Sequence, residues 1–367
     1  MKSNSEIMLA HIAEEPGLIR GLLDSRKVFT ADFCRLFLEN SIRRVYFSGS
    51  GSPANACEVL SFFCSKLLGV EATCIVPTLF NNHMDFNIRD YRPEEIMLIC
   101  PAESGRTRGT VEAAARAAAL GIHTACCTYN MRGTLAGICE AAMNKPSGEE
   151  IALPSSKGHT VGIAIFLLCF IEAALASGRI STEEYSGCIN DLYAMTELMG
   201  KSAEASEEWF CEYQEDVMDS GKYWFIASGA NTGTAREGAL KFLECTRRPA
   251  FAYELEEFMH GPLAALGNSD MVFFLLPELG TERGRMLELA EFCTRITDRC
   301  VSIGYNSAAA TGIPLMAKMT GNGLCSVLEL LIPIQVLACR IAINLGHDLT
   351  RHSRNSAGKA MNLSIEE

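Results

Sequence analysis

The 367-residue sequence predicts an α/β protein built from parallel, layered sheets in two similar halves. Three observations carry this reading. Short β-prone runs alternate with longer stretches of helical periodicity, the pattern of βαβ units. Several runs end in turns that open directly into the next helix, as at Ser48-Gly49-Ser50-Gly51-Ser52-Pro53. The same order of parts returns about 175 residues later, which implies a duplicated domain.

In chain order, residues 1–42 read as helical, with Ile7, Ile12, Leu18, Ile19, Leu22 and Leu23 at helix-like spacing. Arg44-Val45-Tyr46-Phe47 is a strand, and residues 54–68 form the helix after its turn. Residues 71–76, 96–100 and 123–128 are further strands, with an alanine-rich helix over 109–120. The apolar stretch 161–177 contains Glu172 and falls short of the ~20 residues that span a bilayer, so it reads as a buried helix. Gly178, Ser181 and Thr182 break it, and residues 183–208 form a polar helical connector. The second half repeats the pattern, with a strand at Tyr223-Trp224-Phe225-Ile226-Ala227 and a helix over 234–244. A helical run over 253–259 and a strand at Met271-Val272-Phe273-Phe274-Leu275-Leu276 follow.

Composition narrows the function. With 48% hydrophobic and 21% charged residues the chain is an ordinary globular protein, long enough for two domains with their own cores. A net charge of -12 repels phosphate backbones and anionic bilayers, so neither nucleic acid nor a membrane is expected as a partner. The 16 cysteines show no C-x-x-C pair, and Met1-Lys2-Ser3-Asn4 does not open a signal peptide, so reduced core thiols in a soluble, cytoplasmic protein are expected. The seven histidines make no i, i+4 pair and no zinc-finger spacing to cysteine, and no metal is implied. His83 and His159 read as structural.

In open parallel sheets, ligands bind beyond the carboxyl ends of strands, where helix amino ends present unpaired N–H groups. Three loops of the first half are rich in hydroxyls there: Gly49-Ser50-Gly51-Ser52-Pro53, Glu103-Ser104-Gly105-Arg106-Thr107 and Ser155-Ser156-Lys157-Gly158-His159-Thr160. Glycine lets the backbone close on an anion, Ser and Thr donate hydrogen bonds, and each helix adds roughly half a positive charge. Candidate phosphate-binding residues are therefore Ser50, Gly51, Ser52, Glu103, Ser104, Arg106, Thr107, Ser155 and Ser156. Taken singly, each loop also fits an ordinary helix cap and turn. The set falls in one half, and the second copy replaces the Ser104 loop by Glu278-Leu279-Gly280-Thr281.

On the helix over 234–244, Ala235, Ala239, Leu240 and Leu243 mark an apolar side, with Glu237, Lys241 and Glu244 on another stripe. That stripe fits a solvated face with an ion pair, and equally a carboxylate placed for proton transfer. His260 precedes Gly261-Pro262, which ends a helical run and puts the imidazole at a turn.

These residues resemble the sugar isomerase (SIS) family, in which two flavodoxin-like, three-layer α/β/α domains with parallel sheets stand in tandem. The resemblance covers nearly all of the chain beyond residue 40. It is strongest at Gly51-Ser52-Pro53-Ala54-Asn55-Ala56, at Glu103-Ser104-Gly105-Arg106-Thr107, and from Glu237-Gly238-Ala239-Leu240-Lys241 through Glu244 to His260-Gly261-Pro262-Leu263. It is similar both to the isomerase half of glutamine:fructose-6-phosphate aminotransferase and to the fructosamine-6-phosphate deglycases. The residue after Met1 is not the Cys that a glutaminase needs, so no amidotransferase domain is expected. The Gly-Ser-Pro-x-Asn-Ala turn looks like the deglycases, and Ala102 replaces a phosphate-contacting Ser of the aminotransferase. Lys241 matches an aminotransferase lysine. Arg354-Asn355-Ser356-Ala357-Gly358-Lys359 resembles that enzyme's carboxyl-terminal segment, whose lysine forms a Schiff base, with one extra residue before Lys359.

The resemblance implies a helical segment over 1–40, a phosphate-binding domain over 41–178, a second domain with the acid/base residues over 205–345, and a tail over 346–367 that closes the site. It implies Glu244, His260, Lys241 and Lys359 as catalytic residues, a phosphosugar substrate, no cofactor, and a homodimer or higher homo-oligomer. The expected activity is deglycation of a 6-phosphorylated ketosamine. Sugar-phosphate isomerisation or amination of fructose 6-phosphate would use the same acid/base pair, and a sugar-phosphate sensor is the non-enzymatic alternative.

Overall fold

The computed structural model describes residues 6–84, 91–278, 280–351 and 361–365. Two helices, α1 (Ile7–Phe29) and α2 (Ala31–Glu39), lead into β1 (Arg44–Phe47), α3 (Ser52–Leu68), β2 (Glu71–Cys74) and α4 (Pro77–His83). Then come β3 (Ile96–Pro101), α5 (Arg108–Ala119), β4 (His123–Thr128), α6 (Thr134–Ile138), β5 (Ala141–Asn144) and α7 (Lys157–Ala176). The long α8 (Thr182–Asp219) carries a non-helical residue, Tyr213, near its end. It is followed by β6 (Tyr223–Ala227), α9 (Asn231–Thr246), β7 (Ala250–Glu254), α10 (Leu255–Met259), β8 (Met271–Leu276) and α11 (Thr281–Cys293). The described chain then forms β9 (Cys300–Gly304), β10 (Ile313–Leu315), α12 (Gly323–Glu329) and α13 (Leu331–Asn344).

The strands make two five-stranded sheets, ordered β2-β1-β3-β4-β5 and β10-β9-β8-β6-β7, with every pairing parallel. Both have the 2-1-3-4-5 order of flavodoxin-like sheets. The chain divides into two compact units. One holds the first sheet, with Gly17–Glu150 and Lys157–Asn190. The other holds the second sheet, with Ile151–Ser156 and Asp191–Arg351.

In the first-sheet unit, Tyr46, Ile96, Leu98 and Cys100 pack with Phe80, Val111, Ala113, Ala114 and Ala117 from α4 and α5. Phe47 faces the other way, its ring 6.1 Å from that of Phe170 on α7. In the second-sheet unit, Trp224, Ile226, Val272 and Phe274 pack with Phe258, Met286, Leu289 and Ala290 of α10 and α11. Phe225 and Phe273 instead meet Phe242 of α9. Helices thus cover both faces of each sheet, which is why β3 and β8 are buried at every residue and read as continuous apolar runs. At Gly238 on α9, a Cβ would stand 2.9 Å from the Phe225 ring and 3.3 Å from Ile334, so close packing against the sheet selects glycine.

One reading from sequence needs correction. The run over 253–259 is not one helix: Tyr253 and Glu254 belong to β7, and α10 starts only at Leu255. Glu254 caps it, its side chain accepting from the N–H groups of Glu256 and Glu257. The apolar stretch at 161–177 belongs to a 20-residue helix, and Gly323–Asn344 is a second segment of comparable character. Both are long and apolar enough to cross a membrane, yet 83% and 94% of their apolar windows are buried inside the fold. All 16 cysteines are free. Burial pushes the thiol of Cys34 up to about 11 and that of Cys300 up to about 12, so these sulfurs stay protonated.

Glu329, at the end of α12, is 1% exposed, and burial pushes its carboxyl up to about 7. The charges of Glu278 and Asp191 add to this shift, and hydrogen bonds from Thr320 oppose it. Because the folded-state value lies above the ordinary 4.5, the folded chain holds this proton more firmly than the unfolded chain. Its stabilising effect is complete below about pH 4.5 and is lost as pH rises through about 7. Glu329→Gln is therefore expected to gain stability relative to the parent between pH 5 and 8, by up to about 3 kcal/mol. Urea melts across that range check it, and parallel pH profiles for the two proteins would contradict the assignment.

Candidate active site

Because β2 lies on one side of β1 and β3 on the other, the first sheet has its topological switch point between β1 and β3. The loops beyond these two strands are Ser48–Gly51 and Ala102–Thr107, each running into the amino end of a helix. In the first, Gly49 is obligatory, since a Cβ would stand 2.9 Å from the Pro53 backbone. Gly51 takes φ 67°, and its carbonyl accepts from the N–H groups of Ala54 and Asn55 to start α3. Ser52 is buried and Ser50 exposed. The Ser48 hydroxyl is fully buried at the strand end, with no hydrogen-bond partner among the described residues.

In the second loop, Gly105 (φ 69°) turns the chain, and the Arg106 N–H donates to Ser104 Oγ at 3.3 Å. The Glu103 carbonyl is fixed by Thr128 Oγ1 at 2.6 Å and by the N–H of Tyr129 at 3.1 Å. The Glu103 side chain meets Lys145, whose Nζ donates to Oε1 at 2.8 Å and whose side chain is 1% exposed. Burial works against the Lys145 charge, but the Glu103 carboxylate outweighs it and raises the ammonium above the ordinary lysine value. Thr107 is exposed and Arg106 half-buried. The carboxyl-terminal residues lie along this loop: Ile365 N–H donates to the Arg106 carbonyl at 3.0 Å and Arg108 N–H to the Leu363 carbonyl at 2.9 Å.

The first turn of α7 joins the same edge. His159 Nδ1 donates to the Ser52 carbonyl at 3.1 Å, and Gly158 N–H to Glu150 Oε1 at 2.9 Å. Three helix amino ends, Lys145 and Arg106 therefore supply positive potential, against Glu103 and Glu150. Such a crevice suits a small dianion held by N–H groups and hydroxyls. Ser155 and Ser156 immediately precede α7 but are grouped with the second sheet, where the Ser156 carbonyl accepts from Gln335 Nε2 at 3.4 Å.

In the second-sheet unit, α9 reverses an expectation. Two of its three stripe residues are buried: the side chains of Glu237 and Lys241 are 1% and 0% exposed, whereas Leu243 of the apolar side is 44% exposed. Lys241 Nζ lies 3.3 Å from Glu237 Oε1 and donates to Glu244 Oε2 at 2.5 Å. Burial opposes the charge, and the two carboxylates overcome it, lifting Lys241 well above the ordinary lysine value. Lys241 is thus a fixed cation that orients Glu244, whose side chain keeps 38% exposure. His260 is exposed at the carboxyl end of α10, beside Gly261 with φ 137°.

Glu244 and His260 stand at opposite edges of their sheet. The helix α9 runs back from the carboxyl end of β6, so Glu244 on its last turn lies near the amino edge. The parallel strand β7 then crosses to the carboxyl edge, where α10 carries His260. Five strand residues at about 3.3 Å each separate the two levels by roughly 15 Å. One chain by itself does not bring this pair together. Lys359 lies outside the described residues.

Sequence reasoning missed Ser48 and Lys145. Ser48 was in view as part of the Gly/Ser turn, but only its burial at the strand end distinguishes it. Lys145 follows β5, whose Ala-Ala-Met-Asn sequence carries no β-branched signal.

A parallel sheet of 2-1-3-4-5 order with hydroxyl-rich loops at its switch point defines a flavodoxin-like α/β class, and comparison with known proteins refines it. Residues 217–308, which carry β6 to β9 of the second sheet, match the model of the SIS domain. Over 353 residues the chain is homologous, at 24% identity, to a glutamine--fructose-6-phosphate aminotransferase from Gloeobacter violaceus, covering 93% of this chain and 56% of that protein. It spans about half the length of the curated relatives it matches. The fold agrees with the C-terminal domain of the glucosamine-fructose-6-phosphate aminotransferase of Francisella tularensis, with a TM-score of 0.82 and 18% identity over 93% of this chain and 96% of that one. It agrees also with a candidate phosphosugar isomerase from Clostridium difficile 630, with a TM-score of 0.88 and 19% identity over 98% and 99% of the two chains.

Proposed function

We propose that this protein is a deglycase that releases an amine from a 6-phosphorylated ketosamine. The phosphate would sit at the β1/β3 crevice, on Ser48, Ser52, Ser104 and the amide groups of the helix ends. With the phosphate anchored, the reacting carbons of the open chain are fixed relative to the acid/base residue. The Glu244 carboxylate takes a proton from C1 while O2 gains one, giving an enolamine, and the same carboxyl returns its proton to C2 as the nitrogen gives up its own. The product is an imine between C1 and the amine. Water adds at C1, the C–N bond breaks with proton transfer to nitrogen, and an aldose 6-phosphate and a free amine leave. His260 exchanges the ring-oxygen proton on opening.

The observation that carries this reading is the Glu237–Lys241–Glu244 chain. It aims one partly exposed carboxylate while keeping the lysine protonated, hence unable to attack a carbonyl as an amine. This favours proton transfer by Glu244 over covalent chemistry at Lys241. Sugar-phosphate isomerisation remains the second reading, favoured by the relatives, and needs only the proton transfer. Incubation with 6-phosphorylated fructoselysine, glucoselysine and fructose-asparagine, followed by release of hexose phosphate and amine, and separately with fructose 6-phosphate plus ammonia, followed by its conversion to aldose phosphate or amino-sugar phosphate, discriminates them. Turnover of the last mixture alone would rule the deglycase out.

The separation of Glu244 from His260 suggests that the histidine comes from a second copy of the chain. Mixing inactive Glu244→Gln and His260→Ala proteins under conditions of subunit exchange is then expected to restore about a quarter of parental activity, since half the random dimers carry one intact site. No recovery on mixing would place both residues in one chain's site.

A further inference from the structure

The second sheet has its own switch point, between β6 and β8. Asn231 starts the helix after β6. Glu278 stands two residues beyond β8, as Glu103 stands two residues beyond β3. The amino end of α12 lies against both. Asn231 Nδ2 donates to Ser326 Oγ at 3.0 Å, Ser326 Oγ donates to the Gly323 carbonyl at 3.1 Å, and a Cβ on Gly323 would be 3.4 Å from Glu278 Oε2. Glu329 ends the same helix, its Oε1 accepting from the Thr320 N–H at 2.7 Å.

Acceptors predominate here, with the Arg283 guanidinium beside them, its Nη1 engaged by the Pro277 carbonyl at 2.7 Å and its Nη2 by the Asn306 carbonyl at 3.2 Å. Asn231 Oδ1, Glu278 Oε1 and Glu329 Oε2 are buried acceptors with no hydrogen-bond donor among the described residues. Asn231 and Glu329 are themselves only 6% and 1% exposed. Asp191 adds negative charge, its Oδ2 accepting from Asn322 Nδ2 at 2.6 Å. The first sheet neutralises Glu103 with Lys145, whereas Glu278 and Glu329 have no ion-pair partner among the described residues. Leaving such acceptors dry is costly, so the arrangement calls for donors from outside. Among the described residues, no group of three His, Cys, Asp or Glu is placed to hold a metal ion. An ammonium group offers three N–H donors and a positive charge, which matches two carboxylates and an amide oxygen.

We propose that the carboxyl edge of the second sheet is a binding site for a primary ammonium group, held by Asn231, Glu278 and Glu329. The site is separate from the sugar-phosphate reading and does not rest on it. Calorimetric titration of the full chain at pH 8 with methylammonium chloride, against tetramethylammonium chloride at matched ionic strength and without sugar phosphate, tests it. Saturable binding is expected for methylammonium only, because tetramethylammonium has the charge but no N–H donor. Glu278→Gln should weaken it at least about tenfold, and Asn231→Asp, which adds a negative charge at nearly constant size, should tighten it. If Glu278 and Glu329 merely share a proton, methylammonium will not bind saturably, and the proposal falls. Equal responses to the two salts, or binding unchanged in both variants, would also overturn it. None of these outcomes bears on sugar-phosphate turnover.

Discussion

Lys241→Met is expected to lower the stability of the chain by about 3–5 kcal/mol, the cost of breaking a buried ion pair from one side. The Lys241 and Glu237 side chains are 0% and 1% exposed, so removing the ammonium leaves the Glu237 carboxylate charged in a dry interior. Glu244, partly solvated, contributes less to this cost because water screens it. The double variant Glu237→Leu/Lys241→Met removes both charges and should recover most of the loss. Denaturant melts of the four proteins complete the cycle. A single-variant loss under about 1 kcal/mol would mean that water already reaches the pair.

Glu244→Gln is expected to reduce turnover by about 10²- to 10⁴-fold while keeping the shape of the side chain. A smaller change in KM should accompany it, because the phosphate grip lies on other residues. Folding should be nearly unaffected, since Lys241 retains Glu237. Steady-state kinetics with the substrate that turns over, together with a melt of the variant, separates these effects. Full activity in Glu244→Gln would remove this residue from the chemistry, whichever sugar is used.

The strands that proved easiest to read are those buried on both faces. β3 and β8 are unbroken apolar runs because helices cover them front and back. The edge of each sheet was harder. β5 is Ala-Ala-Met-Asn and β10 is Ile-Pro-Leu, neither with the β-branched alternation that marks a strand, and both pair at an outer position. The hydroxyl-rich loops were legible because glycine and serine mark the turn from a strand into a helix amino end, and three of them fall in one half of the chain. The burial of the Glu237 and Lys241 stripe was not, because a Glu, Lys, Glu series at helical spacing looks the same on a solvated face and in a core ion pair.

Alternation of elements, the repeated grammar of the two halves and the Gly/Ser turns determined two parallel sheets and the place of the hydroxyl-rich loops, because periodicity and turn chemistry are local properties. Only the tertiary structure decided which charges are dry, which lysine neutralises Glu103, and that Glu244 and His260 stand at opposite edges of their sheet. Those outcomes depend on which elements pack together and on the direction of each helix across its strands, and charge burial has no local signature in the chain.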